Sequence, residues 1–444
     1  CVAPVATRYP ACERPGILAR SSIDRPFLLM ISYAEALAIV QQQVAPLAGE
    51  WVSSTEAEGR ILAQHVSSPD ALPPFDNSAM DGYAVRLSDL LHAGAEASFE
   101  VSQRVAAGAA GDAPLASGTV ARIFTGAPVP PGADAVVIQE DSVVDADGRV
   151  RFTAEPRAGQ NIRRAGEDVA RGQAVLEAGQ RLSAAHLGLA ASIGAARLTV
   201  CRKPRVALLS TGDELAMPGE VAPADLPRGG VFNSNRFFLR ALLQRLGCEV
   251  TDLGIVPDRL DATRQTLAQA ARDHDVIVTS GGVSVGEEDH VKPAVQALGS
   301  LELWQVAIKP GKPFAYGRVR RDASAAGLDD AAHFIGLPGN PVSSYVTGLV
   351  LLRPFLLRLQ GRRDIVVQAL PAMARFTWDA PDPKRREFLR VRLDASGALE
   401  RHAHQGSGVL TSVAWADGLV DNPAGQTIAP GDVVRFLPFS AFLD

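Results

Sequence analysis

Lysine is scarce in this 444-residue chain: Lys203, Lys292, Lys309, Lys312 and Lys384 are the only five among 44 basic residues. A coding bias toward arginine is the bland reason, yet two of the five stand three apart in Lys309-Pro310-Gly311-Lys312. Cysteine is also sparse. Cys1, Cys12, Cys201 and Cys248 form no CxxC and no close pair, which argues against a disulfide framework and a thiolate zinc site and fits a reducing cytoplasm. No histidine motif neighbours Cys201 or Cys248, so covalent thiol catalysis is not expected either. An excess of positive charge is missing as well: a net charge of -5 and a pI near 6.0 give no bulk attraction to nucleic acid or acidic lipid. Any polyanion site must be a local patch. No uncharged apolar run reaches about 18 residues, since even Val346 to Leu359 is cut by Arg353 and Arg358, so no membrane span is expected. The 29 residues before the first methionine, Met30, lack the apolar core of a signal peptide, and the natural start is expected at or near Met30.

What remains is an ordinary globular composition, 47% hydrophobic and 21% charged, long enough for about three domains at roughly 150 residues each. A capping box, Ser32-Tyr33-Ala34-Glu35, followed by Leu37, Val40 and Val44, predicts an amphipathic helix near 33 to 47. From 76 to 160 the pattern changes to short apolar runs broken by turns, such as Val120 to Phe124 and Ala135 to Ile138, which predict a small β domain. Helical texture returns at Leu182 to Ile193, so this β segment looks inserted into a domain built from both flanks.

From Arg205 onward strands and helices alternate: strands at 206–209, 249–256, 276–278 and 334–337, and helices at 236–246, 259–272 and 341–359, the last kinked or split by Pro354. Such alternation predicts a doubly wound, mostly parallel sheet that binds ligands beyond the carboxyl ends of its strands. After Gly361 only strand-length segments are expected, such as 388–391 and 433–437, in a β barrel or sandwich without helices.

The loops at those strand ends carry the chemistry. Thr211-Gly212-Asp213-Glu214 follows one strand, and Thr279-Ser280-Gly281-Gly282-Val283-Ser284-Val285-Gly286 follows another. Glycine backbone N–H groups and hydroxyls suit a phosphate or a pterin edge. In Leu337-Pro338-Gly339-Asn340-Pro341, Asn340 can cap the next helix and Pro341 suits its first position. Lys309 and Lys312 on their Pro-Gly turn suit one tetrahedral oxyanion or a phosphate. Acidic residues gather at similar positions, Asp76, Asp81, Glu167, Asp168, Asp213, Glu214, Asp258, Glu287, Glu288 and Asp289, an oxygen-rich set that suits Mg²⁺. His402 and His404 lack a third ligand and read as surface histidines.

Several segments together resemble the molybdopterin molybdenumtransferase family, bacterial enzymes related to the plant molybdenum-insertion proteins and to the E domain of gephyrin. The resemblance rests on Pro74-Phe75-Asp76-Asn77-Ser78-Ala79-Met80-Asp81-Gly82-Tyr83-Ala84, Phe124-Thr125-Gly126-Ala127-Pro128-Val129-Pro130 and Ile162-Arg163-Arg164-Ala165-Gly166-Glu167-Asp168. It continues through Ser210-Thr211-Gly212-Asp213-Glu214-Leu215, Ser280 to Gly286, Ile308-Lys309-Pro310-Gly311-Lys312-Pro313 and Gly336 to Ser343. Residues 1–29 are an extension outside it. The resemblance implies a split elongated domain (30–75 and 161–203), the inserted β domain (76–160), an α/β molybdopterin-binding domain (204–361) and a C-terminal β barrel (362–444).

The same resemblance implies an elongated homodimer whose active site joins the α/β domain of one subunit to the inserted domain of the other. The implied reaction consumes adenylated molybdopterin and molybdate with Mg²⁺, releases AMP and leaves molybdenum on the dithiolene. It further admits the upstream adenylyltransferase and downstream molybdoenzymes as partners, while charge and hydropathy argue against nucleic acid and membrane. Carried over by motif, Asp76, Asp168, Glu214, Asp258 and Asp289 would be catalytic, and the last three would hold the metal. Thr125, Thr211, Asp213, Ser280, Gly281, Gly282, Ser284, Gly286, Pro338, Gly339, Asn340, Pro341 and Ser343 would bind the pterin nucleotide. Lys309, Lys312, Arg390 and Ser407 would dock molybdate. One position departs from the pattern, because Trp304 is followed by Gln305 where many relatives carry Lys.

Two alternatives stand beside this reading. A molybdopterin adenylyltransferase shares a glycine-rich α/β site but is one compact domain, which the flanking β segments and the Asp76 segment count against. A gephyrin-like scaffold would need additional partner modules.

Overall fold

A computed structural model describes residues 30–94, 96–283, 290–322, 324 and 327–443. Two compact units are present, residues 30–43 with 205–354 and 367–443 forming one, and residues 44–204 with 355–366 the other. The expected extension 1–29, together with Ser284, Gly286 and Asp289, lies outside the described residues.

The first unit holds a seven-stranded sheet in the order Met30–Ile31, Gly299–Val306, Pro313–Arg320, Ala331–Leu337, Val276–Ser280, Arg205–Thr211 and Glu249–Val256. The last four strands run parallel, and Pro313–Arg320 is antiparallel to both its neighbours. Parallel strands are covered on both faces and therefore read as unbroken apolar runs, as Val206-Ala207-Leu208-Leu209 does. Alternation sends Ala207, Leu209, Ile277 and Phe334 into one cluster with Leu267, Ala270, Val291 and Val295 of the helices Leu260–Asp273 and Val291–Leu298. The opposite face meets the helices Ser234–Arg245 and Pro341–Thr347.

Strand register decides where the connecting loops emerge. Thr211 pairs with Val256, Ser210 with Ser280, and Ser280 with Leu337. The loops opening at 212, 257, 281 and 338 therefore leave the sheet at one edge.

Four expectations change in this unit. The first helix spans Tyr33–Gln42 with its capping box intact, but stops short of 47, because the residue before Pro46 disfavours helical backbone. The helical stretch Pro341–Leu359 is not broken at Pro354. It widens to π spacing over Gly348–Leu352, where the Arg353 N–H donates to the Gly348 carbonyl, so the irregularity is absorbed one turn before the proline. This stretch, among the described residues, is also long and apolar enough to cross a membrane, yet 89% of it is buried inside the protein, as in the core helix of a globular fold. Buried Arg353 spends its guanidinium on the carbonyls of Ala441 and Phe442.

The C-terminal strands form a sheet in the order Ile308–Lys309, Arg386–Leu393, Gly418–Asn422, Val433–Pro438 and Leu370–Met373, with Leu399–Arg401 beside Arg386–Leu393. Its ladder order is open, and the expected barrel is represented by a single bridge from Ala374 to Leu399. Two five-residue helices, Thr411–Trp415 and Phe439–Leu443, stand where none was expected.

In the second unit a four-stranded sheet, Glu100–Val105, Thr119–Ile123, Gly82–Val85 and Ala135–Ile138, carries apolar clusters around Tyr83, Val85, Val120 and Val137 on one face and Ala84, Ile123 and Val136 on the other. Gly82 is required in it, since a Cβ there would sit 1.9 Å from the Val137 carbonyl oxygen. A separate cluster of Leu62, Leu176, Leu182, Leu198 and Val200 surrounds the pair Gly49–Ser53 and Arg197–Cys201.

Candidate active site

The aligned strand ends of the first unit enclose a cavity of about 640 Å³. That volume suits a ligand of nucleotide or pterin size. Thr211 and Glu214 line it from the first loop, Ser280, Gly281 and Gly282 from the second, and Pro338, Gly339, Asn340, Pro341 and Ser343 from the third. Gly281 and Gly282 both take positive φ, 92° and 65°. A Cβ on Gly282 would meet Thr211 Oγ1 at 2.9 Å and Val291 Cγ2 at 2.5 Å, so only glycine lets this loop rest on the end of the neighbouring strand.

Asn340 occupies the N-cap position with Pro341 behind it, but its side chain makes no capping hydrogen bond, contrary to the expected cap. Asn340 instead is one of the residues lining the cavity. Asp213 is exposed and does not line the cavity; its carboxylate accepts the Asp258 N–H at 3.1 Å and ties the loop after Glu249–Val256 to the loop after Arg205–Thr211.

The four residues expected to dock an oxyanion sit in the same unit. Arg390 is 1% exposed. Its guanidinium donates to the Phe388 carbonyl (3.1 Å), the Gly406 carbonyl (3.3 Å) and Ser412 Oγ (3.3 Å), and among the described residues it has no carboxylate partner. Burial alone pushes this guanidinium down from its ordinary 12.5 to about 10. Next in sequence to Gly406, the Ser407 carbonyl accepts the Val342 N–H at 2.9 Å, which fixes that segment to the first turn of the helix behind Pro341. Gly311, at φ 108°, brings the lysine turn against the same helix, where an added Cβ would meet Thr347 Oγ1 at 2.3 Å. Lys312 is exposed at the end of that turn with no ion pair among the described residues. Lys309 is engaged: its ammonium donates to Glu387 Oε1 at 2.9 Å.

In the second unit the pairing of Asn77–Ser78 with Ile162–Arg163 brings Asp76 beside the 164–168 loop. The Asp76 carboxylate accepts from Arg164 Nη1 (2.6 Å) and the Ala165 N–H (2.9 Å). Exposed Asp168 closes the same loop, with its N–H on the Leu72 carbonyl. Thr125 donates both its N–H (2.8 Å) and its hydroxyl (2.7 Å) to Asp81 Oδ1. Val129 N–H bonds the Asp76 carbonyl and Gly126 N–H that of Ser78, so the 76–81 and 124–130 segments form one surface.

Residues 31–194 match the MoeA N-terminal region (domain I and II), 207–358 the probable molybdopterin binding domain and 374–439 the MoeA C-terminal region (domain IV). A protein named molybdopterin molybdenumtransferase from Haemophilus influenzae is 42% identical over 326 residues, 73% of this chain and 76% of its own length. The chain belongs to the molybdopterin molybdenumtransferase family. Molybdopterin molybdenumtransferase 2 of Mycobacterium tuberculosis is 39% identical over 84% of this chain and 90% of its own. A molybdopterin biosynthesis MoeA protein of Pyrococcus horikoshii superposes with a TM-score of 0.78 at 25% identity, covering 93% of this chain and all of its own.

Family motifs contained Asp76 and Thr125 as well as Arg164, Ala165 and Asp81, but did not show that the latter three hold the former two. Asp81 stands inside the 74–84 motif, and its spacing of 44 residues from Thr125 hid the pairing. Asn233 and Asn235, which also line the cavity, carried no signal recognised in the sequence.

These contacts make a pH prediction. Hydrogen bonds from Ala165 N–H hold the Asp76 carboxyl below its usual 3.8, and those from Thr125 do the same for Asp81. A carboxyl harder to protonate when folded contributes stability above its unfolded value and loses it as pH falls through the folded one. The melting temperature is therefore expected to fall as pH drops below about 4, and less steeply in Asp81→Asn. Calorimetry from about pH 6 down to pH 2 checks this, and parallel slopes for the two proteins would refute it.

Proposed function

We propose that this chain transfers molybdenum from molybdate to adenylated molybdopterin, releasing AMP, as a step of molybdenum cofactor biosynthesis. The observation that carries the reading is Arg390. A guanidinium buried without a carboxylate partner is costly, and this one donates to the Gly406 carbonyl, next to the Ser407 carbonyl that is tied to the wall of a pterin-sized cavity. An oxyanion bound there supplies the missing counter-charge. Lys312, Lys309 and Ser407 are assigned to the same oxyanion, while the glycine loop at 281–282 and the hydroxyls of Thr211 and Ser280 are assigned to the pterin nucleotide.

For Mg²⁺, the donor set is a partial match. No cluster of three or more potential ligand side chains occurs among the described residues. Magnesium, however, takes one or two carboxylates and completes its shell with water and phosphate. Glu214 and Asp258 suit that role on the tied loops, and Asp289 lies outside the described residues. Bound there, the ion would draw charge from the phosphate as AMP leaves. A homodimer belongs to the same proposal.

The test is direct: mix the purified chain with adenylated molybdopterin, Mg²⁺ and increasing molybdate, and measure AMP. AMP release is expected to rise with molybdate and to stop on chelation. Release that ignores molybdate would sink the reading.

A further inference from the structure

The strand Ile308–Lys309, which runs straight into the lysine turn, is paired with Arg386–Leu393 of the C-terminal sheet, and in that ladder Lys309 stands opposite Glu387. Glu387 is 1% exposed. A carboxylate so buried needs charge and hydrogen bonds on both oxygens, and it has them. Lys309 Nζ donates to Oε1 at 2.9 Å and Trp378 Nε1 to Oε2 at 2.6 Å. The same indole packs against the ammonium, 5.8 Å from its ring centroid, and is itself covered by the Arg401 guanidinium at 5.2 Å. Lys309 keeps 38% of its side-chain surface open. An ammonium has three donors, so one is committed to Glu387 and the others remain for a ligand.

We propose that Glu387 is a positioning residue: with Trp378 it holds the Lys309 ammonium in one place, so that its remaining donors meet the oxyanion without first being ordered. This rests on the assignment of Lys309 to the oxyanion site in the proposed function. A lysine side chain loses much rotamer freedom when it is pinned by a ligand, and here that ordering is already complete on folding. Removing the carboxylate would also leave the ammonium charge uncompensated. At a half-open position solvent screens that long-range attraction, whereas placement is not screened.

The experiment measures molybdate-dependent AMP release by the full chain for Lys309→Ala, Glu387→Gln, Trp378→Phe and the double variant Lys309→Ala/Glu387→Gln. Glu387→Gln is expected to raise the half-saturating molybdate concentration about tenfold, the worth of one charge-assisted hydrogen bond, with kcat nearly unchanged. Trp378→Phe, which keeps the ion pair, should raise it less. The double variant should match Lys309→Ala alone, because a residue acting through Lys309 has no effect once Lys309 is gone. Additive losses in the double variant, or an unchanged or lowered molybdate requirement in Glu387→Gln, overturn the proposal. An unchanged requirement in Lys309→Ala would instead remove Lys309 from the oxyanion site. If Glu387→Gln does not fold, Trp378→Phe decides: a normal molybdate requirement refutes the clamp.

Discussion

Arg390→Met is expected to lower kcat/KM for molybdate by at least about 100-fold while leaving the melting temperature unchanged or raised, a split that few binding-site substitutions show. The guanidinium is buried and among the described residues faces only carbonyls and a hydroxyl, with no carboxylate in reach. Burial without a counter-charge is what lowers its affinity for the proton to about 10. A methionine of similar reach removes a desolvated charge and keeps the packing, which offsets the three hydrogen bonds lost with the guanidinium. Any oxyanion that relied on this cation loses its buried, low-dielectric partner at the same time. Calorimetry and the AMP assay on one preparation check both halves. A large fall in melting temperature with molybdate dependence intact would make Arg390 a structural residue.

Gly311→Ala is expected to cost roughly 2 to 3 kcal/mol of stability and to raise the molybdate requirement together with it. At φ 108° a Cβ is strained wherever it points, and here it would point at Thr347 Oγ1, 2.3 Å away, with the Ser343 carbonyl at 3.3 Å. The turn must lift from the helix, carrying Lys312 with it. Thr347→Ala in the same chain removes the nearest atom but not the φ strain, so it should restore part of the stability and not all. Denaturant melts of the single and double variants check this. Equal stability of Gly311→Ala and the unchanged chain would show that the turn is not pressed on the helix.

Much of this was legible along the chain because its cause is local. Ser32 and Glu35 form their capping box three residues apart. Unbroken apolar runs at 206–209 and 276–278 are what strands covered on both faces look like. The glycine loops at strand ends carried their meaning in residue type, since only glycine can enter φ near +92° at position 281 without penalty. Other features were hidden because they join distant residues. Glu387 and Lys309 are 78 positions apart, and nothing near either one announces the other. Asn340 sat in a sequence that suits a cap, yet the choice between capping and lining the cavity depends on which neighbours surround it.

The scarcity of lysine and the pairing of two lysines on one turn were properties of the sequence alone, as were the parallel sheet and the family motifs, because periodicity and residue type act over a few positions. Tertiary structure decided what those lysines do. Strand pairing set Lys309 against a buried carboxylate, the glycine turn left Lys312 exposed, and the sheet interior kept Arg390 from any carboxylate among the described residues. The physical reason is that a cation's role depends on the charges and solvent within a few ångströms of it, and those are brought there by chain segments far away in sequence.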